Sequence, residues 1–152
     1  MTDTSTPLRP GVGTVLDDAA LDQLFRTART ANTFSDEPVS EATLRELYEL
    51  VKWGPTSANI GPLRILFVTS PEAKERLVGH VYDRNQPKVA QAPVTAVLAV
   101  DADFHEQLPT LFPHNPGMKE RFEDPAAREP VGRFNAAIQV GYFIVAARAV
   151  GL

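Results

Sequence analysis

Small hydrogen-bonding side chains are concentrated in the stretch KWGPTSANIGPLR, between Lys52 and Arg64. Thr56 and Ser57 carry hydroxyls, and Asn59 carries an amide that offers both a donor and an acceptor. Such a set suits the alternating donor and acceptor edge of a flat heterocycle. The alternative interpretation is a hydrogen-bonded turn between a helix and a strand, for which the same residue types are typical.

A second polar group consists of Arg29, Thr30 and Asn32, at the end of the first predicted helix. Arginine is the natural bidentate ligand of a phosphate, and a hydroxyl and an amide can assist it. The dipole of a helix disfavours anions at its C-terminus, so the side chains would have to supply the binding. The alternative is an arginine that only caps the helix.

A third group, Asn85 and Lys88 in RNQPKVAQAP, precedes the second predicted strand. A lysine at this position could stabilise negative charge on a bound cofactor and so tune its electronics. An ordinary surface lysine is the alternative.

The composition excludes several classes of function. The chain has no cysteine, so disulfides, thiolate nucleophiles and iron-sulfur clusters are excluded, and any redox chemistry requires an organic cofactor. His80, His105 and His114 lack metal-ligand spacing, and neither a Walker A motif nor a G-x-G-x-x-G fingerprint is present. The net charge of -4 argues against nucleic acid and anionic membranes as partners. The N-terminus lacks the pattern of a secretory signal, so we expect a cytoplasmic location.

Periodicity predicts the elements that position these groups. Residues 1–16 are expected to form a flexible arm, and residues 17–152 one domain. Apolar spacing predicts helices over 17–31 and from Ser40 to about residue 53, and a third after Ser70. Apolar runs predict strands over 63–70 and 92–101, and five prolines predict an excursion with some short helix from 103 to 130.

The final segment, from residue 131, is apolar nearly all round. Polar side chains interrupt it at intervals that a bilayer would penalise, so a buried helix, at a subunit interface for example, is predicted instead of a membrane span. Two strands do not make an independently stable sheet, and the chain stops at Gly151-Leu152. We therefore expect that a C-terminal piece is missing or that a partner supplies the missing layer.

Three stretches together carry a family resemblance. They are ARTANTFSDEPVSEATLRELYELVKWGPTSANIGPLRILFV, NQPKVAQAPVTAVLAVDADFHEQLPTLFPHN and FNAAIQVGYFIVAARAVGL. In this order they resemble the nitroreductase superfamily of FMN-dependent oxidoreductases, and more closely its malonic semialdehyde reductase branch. The resemblance implies an α+β fold, with a mixed sheet flanked by helices and FMN bound at a homodimer interface.

The resemblance also implies roles for the three polar groups. The first basic stretch of the family holds the FMN phosphate and ribityl chain, and here Asn32 replaces its second basic residue. A loop of the P-S-S-x-N type reaches the isoalloxazine ring, often from the other subunit, and an Asn and a Lys before the next strand also contact the ring. The implied cofactor-binding residues are Arg29, Thr30, Asn32, Pro55, Thr56, Ser57, Asn59, Asn85 and Lys88.

The function implied by the resemblance is FMN-dependent reduction with NADPH or NADH as reductant, and malonic semialdehyde is the implied substrate, reduced to 3-hydroxypropionate. A broad nitro or quinone reductase is the nearer alternative, and a non-catalytic flavin-binding or truncated protein is the other. No side chain is an evident proton donor, so no catalytic residue is named.

Overall fold

The computed structural model describes residues 13–152. The predicted N-terminal arm therefore lies outside the described residues, apart from residues 13–16, which form neither helix nor strand. The first helix, α1, is Asp18–Leu21 and continues as a π-helical turn over Asp22–Arg26. The prediction that it extends to residue 31 is wrong, because the Thr27 hydroxyl donates to the Asp22 carbonyl at 2.8 Å and closes the turn.

The second helix, α2, is Glu41–Val51 and follows its sequence pattern closely. The Ser40 hydroxyl accepts a hydrogen bond from the Thr43 N–H at 3.0 Å, as expected of an N-cap. Leu44, Leu47 and Val51 are buried, and their spacing of three and four residues puts them on one face.

Two strands form the sheet. Strand β1 is Leu63–Val68, β2 is Thr95–Val100, and they pair antiparallel with Leu63 opposite Val100. Within residues 13–152 this pair is the whole sheet, whereas the resemblance predicts a mixed one. The connection between the strands holds two helices that contact each other, α3 (Pro71–Val78) and α4 (Gln86–Gln91), and the chain re-enters the sheet in the opposite direction.

Short helical turns fill the proline-rich excursion, as predicted. They are the 3-10 turns Phe104–Gln107, Pro116–Met118 and Glu120–Phe122 and the helix α5, Leu108–Leu111. This excursion contributes Phe104, Leu108 and Phe122 to one core cluster, which Ile60 completes from the segment before β1.

The last helix, α6, is Pro125–Ala149. It begins earlier than the predicted residue 131 because the Asp124 carboxylate accepts a hydrogen bond from the Ala126 N–H at 2.9 Å and caps it. Ala146 packs with Leu47 and Val51 of α2 in a second core cluster. Among the described residues, no helix is both long and apolar enough to cross a bilayer.

Within a single chain the predicted buried helix is buried on one side only, and its burial at a subunit interface stays a prediction. One face is buried, but Phe134 is 68% exposed and Ile144 59% exposed. The sequence pattern did not separate these faces because both carry apolar residues.

Substitutions in α2 test its packing against α6. Leu47 is 1% exposed, so Leu47→Ala should lower the free energy of unfolding by about 2–5 kcal/mol through lost burial and a residual cavity. Leu50, on the same helix, is 43% exposed, and Leu50→Ala should change the free energy of unfolding by less than about 0.5 kcal/mol. Urea unfolding followed by circular dichroism measures both, and equal losses would contradict this core.

Candidate functional site

Residues 55–61, which we call the polar loop, connect the end of α2 to β1 through a 3-10 turn at Ser57–Asn59. The Thr56 hydroxyl accepts a hydrogen bond from the Gly61 N–H at 3.1 Å, so this side chain stabilises the loop itself. The turn interpretation therefore holds for Thr56. Ser57 and Asn59 are exposed, and the Asn59 amide donates to the Leu111 carbonyl at 3.2 Å.

The backbone of the polar loop is unusual. Ala58 has φ 48° and Asn59 has φ 52°, both in the left-handed region that residues other than glycine rarely adopt. For alanine this conformation costs roughly 1–2 kcal/mol. The surrounding contacts must offset that cost, and the side chain of Ile60, 1% exposed, anchors the loop in the core.

Two buried amides of α6 hold the polar loop and the first residue of β1, and they were not assigned this role from the sequence. The Ser57 N–H donates to Asn135 Oδ1 at 2.8 Å, and the Leu63 N–H donates to Gln139 Oε1 at 2.9 Å. Asn135 also donates to the Val131 carbonyl at 2.9 Å. The sequence feature that could have indicated this role is the spacing of Asn135 and Gln139 by one helical turn in an apolar segment. Above, their polarity was interpreted only as evidence against a membrane span.

The Arg29 guanidinium donates to the carbonyls of Arg26 and Ala28, at 3.0 and 2.7 Å. This is the capping interaction named above as the alternative to phosphate binding. Both Arg29 and Thr30 are exposed. Their contact with a phosphate stays a prediction.

The structure brings Asn32 and Lys88 together. Lys88 Nζ donates to Asn32 Oδ1 at 2.7 Å, across 56 positions of sequence. Lys88 is half-buried on α4, and none of the ion pairs within residues 13–152 includes it. Asn85, one residue before α4, is also half-buried, and its N–H donates to the Tyr82 carbonyl at 2.7 Å. The second and third predicted groups therefore meet through one pair of side chains.

The polar loop and the Asn32–Lys88 pair belong to separate sets of hydrogen bonds. No hydrogen bond within residues 13–152 joins them. A cleft of about 620 Å³ adjoins the loop, and neither Asn32 nor Lys88 lines it. Its walls include Tyr48, Trp53, Pro55, Asn59, Gln107 and Leu111.

Shifted pKa values occur elsewhere in the described part of the chain. The Lys119 ammonium donates to Glu106 at 2.7 Å, which lowers the pKa of Glu106 and raises that of Lys119. Hydrogen bonds from its own backbone N–H and from Ser70 lower the pKa of Glu72. Because these groups belong to an exposed ion pair and a helix start, they supply no proton donor beside the polar loop. No group of three or more acidic or histidine side chains within residues 13–152 could hold a metal ion.

Residues 25–152 match the family model described as the nitroreductase family. The chain belongs to the nitroreductase family. A Streptomyces coelicolor relative named "Putative NADH dehydrogenase/NAD(P)H nitroreductase" is 55% identical over 139 residues, which cover 91% of this chain and 71% of the relative. A relative of the same name from Caulobacter is 56% identical over 137 residues, 90% of this chain and 70% of its own length.

A solved structure supports the same fold. The "putative nitroreductase in complex with FMN" from Exiguobacterium sibiricum superposes with a TM-score of 0.74 and 17% identity, covering 91% of this chain and 73% of that one. The predicted α+β class is therefore confirmed, together with the predicted family.

The amide of Asn135 makes a second testable prediction. Asn135→Ala removes the acceptor of the Ser57 N–H at a buried site, so it should cost about 1–3 kcal/mol of unfolding free energy and speed hydrogen exchange at Ser57. Asn115 is exposed, and Asn115→Ala serves as the matched control, with a change under about 0.5 kcal/mol. Unchanged exchange at Ser57 in Asn135→Ala would contradict the role of this amide.

Proposed function

We propose that this protein is an FMN-dependent NAD(P)H oxidoreductase that works as a homodimer and reduces malonic semialdehyde. The observation that carries the proposal is the Asn32–Lys88 pair. It places a cation, which has no acidic partner in the described part of the chain, among the residues that the family resemblance assigns to FMN. The names of the relatives support the nicotinamide reductant, and the Exiguobacterium structure supports the cofactor.

The donor set of the chain fits FMN. The cofactor carries an anionic phosphate, and its reduced ring also carries negative charge, so a lysine that donates to a neutral amide suits it. The exposed Ser57 hydroxyl and Asn59 amide suit the polar edge of the ring, because an amide can donate and accept. The strained backbone of the polar loop fixes where these two side chains point.

Bound FMN would supply the redox chemistry, taking reducing equivalents from NAD(P)H and passing them to an oxidised substrate. In this scheme Arg29 and Thr30 would bind the phosphate end, and Lys88 would stabilise negative charge on the ring. Asn85, the residue just before α4, would contribute a further amide. Pro55 and Thr56 shape the loop that presents Ser57 and Asn59.

The separation of the two polar groups supports a homodimer, because one cofactor could contact both groups if each came from a different subunit. The exposed face of α6 offers a surface for a second copy. Its apolar stripe consists of residues spaced by three and four positions, namely Phe134, Ala137, Ile138, Gly141 and Val145. An exposed apolar surface of this kind is typical of a protein interface.

The stripe also approaches the polar loop. The Tyr142 ring, beside the stripe, lies so close to Gly54 that a Cβ there would come within 2.9 Å of the Tyr142 Cγ. Gly54 immediately precedes the polar loop. A second copy seated on the stripe would therefore lie next to the loop, as a shared cofactor requires.

Two substrate classes are distinguished by experiment. Malonic semialdehyde follows from the closer resemblance, whereas the names of the relatives favour a nitro compound. We expect purified protein incubated with FMN to keep a flavin absorbance band after desalting, which bleaches on anaerobic addition of NADPH or NADH. Steady-state kcat/KM should then be higher for malonic semialdehyde than for a nitroaromatic or a quinone.

Each result has a defined meaning. A higher kcat/KM for the nitroaromatic or the quinone would contradict malonic semialdehyde as the substrate, but it would still support an FMN-dependent reductase. Retained flavin without nicotinamide oxidation would favour a non-catalytic flavin-binding protein. Protein that stays colourless after FMN incubation would contradict the proposal.

The dimer makes a further prediction. Phe134 is 68% exposed, and Phe134→Asp puts a charge in the proposed interface, so it should shift the protein from dimer to monomer and weaken FMN retention. Phe25 is 56% exposed on the π-helical turn, so Phe25→Asp is the matched control and should leave the dimer intact. Light scattering after size-exclusion chromatography measures both. A dimeric Phe134→Asp protein would exclude the stripe as the interface.

A further inference from the structure

Lys88 is held by a neutral partner. Its ammonium donates to the Asn32 side-chain carbonyl at 2.7 Å, whereas Lys52 pairs with Glu49 and Lys119 with Glu106. A carboxylate next to an ammonium cancels most of its field, while an amide accepts the hydrogen bond and leaves the net charge in place. The partner of Lys88 therefore fixes its position without neutralising it.

The segment that carries Asn32 is fixed to α4 at a second point. The Phe34 N–H donates to Gln91 Oε1 at 3.4 Å. Gln91 lies three residues after Lys88 on the same helix, so both contacts are one turn apart on one face. Residues 32–34 thus run along α4 in a defined register, which places the Asn32 amide at the end of the Lys88 side chain.

This arrangement lowers the cost of using a lysine to bind an anion. A free lysine side chain loses up to about 2 kcal/mol of rotamer entropy when it is fixed, and the Asn32 contact fixes it before the anion arrives. The anion then meets an oriented charge. An aspartate at position 32 would fix the same geometry but remove the charge.

We infer that Asn32 is a positioning residue, which holds the Lys88 ammonium in place through a neutral amide so that its charge acts on the anionic FMN. The inference rests on the proposed function, and it goes beyond it by giving Asn32 a role exerted through Lys88 rather than on the cofactor directly.

The test uses the full chain and two matched pairs of variants. Asn32→Asp adds a carboxylate beside Lys88, and Asn115→Asp makes the same change on an exposed residue elsewhere. Lys88→Gln removes the ammonium, and Lys74→Gln removes a lysine that also donates to a neutral acceptor, the Ala92 carbonyl. Each pair keeps the net charge equal, so long-range effects cancel in the comparison.

Asn32→Asp and Lys88→Gln should each weaken FMN binding about tenfold relative to their controls, as measured by quenching of flavin fluorescence. Both should also make the midpoint potential of bound FMN more negative, because less positive charge stabilises the reduced ring. A purely structural role of Asn32 would not move the potential. Thermal unfolding should show that all four variants fold.

A double-mutant cycle separates the inference from the proposed function. Asn32→Ala should weaken FMN binding in the wild-type background but have little further effect in Lys88→Gln, because its role acts through that lysine. Equal losses in both backgrounds, or an Asn32→Asp protein that matches Asn115→Asp in affinity and potential, would overturn the inference while leaving the reductase proposal intact. Wild-type protein that binds no FMN would overturn both.

Discussion

The conformation of the polar loop depends on two buried amides of α6. A buried N–H without a partner costs as much as a lost hydrogen bond, and the Ser57 and Leu63 N–H groups find partners in Asn135 and Gln139. The two amides are one helical turn apart, so they present their oxygens from one face of α6. The distance between the acceptors thus sets where the loop begins its turn and where β1 starts.

The strained backbone follows from that constraint. Ser57 and Leu63, the first residue of β1, are both bonded to α6, and Ile60 between them is buried in the core. The chain has to reverse over few residues there, and Ala58 and Asn59 take left-handed conformations. Strain of this kind persists only where the surroundings determine it. Its result is that Ser57 and Asn59 are held outward on a rigid loop, which costs less entropy on binding than a mobile one.

The sequence predicted the features that depend on local chemistry. The Ser40 cap and the buried spacing of α2, the two strands and the family itself could all be read from residue types and their intervals. The contacts between distant segments could not be predicted, because propensity and periodicity do not indicate which face of one element packs against which face of another. Asn32 and Lys88 are 56 positions apart, and the exposed and buried faces of α6 are both apolar. The end of the turn that follows α1 was missed because the hydroxyl and the N–H of Thr27 both donate to the Asp22 carbonyl, a local contact that apolar periodicity does not reveal.

Because the polar loop and the Asn32–Lys88 pair are separate on one chain, cofactor binding in the proposed enzyme depends on how two subunits come together. If FMN contacts the polar loop of one subunit and the Asn32–Lys88 pair of the other, each subunit alone offers only part of the binding free energy. Cofactor binding and subunit association are then linked: FMN raises the affinity between subunits by the same factor by which dimerisation raises the affinity for FMN. The buried amides of α6 act on both, since the same helix fixes the polar loop on one face and carries the apolar stripe on the other. A change within α6 that tilted the helix would therefore alter cofactor affinity and subunit affinity together, although no residue of the helix need touch the cofactor.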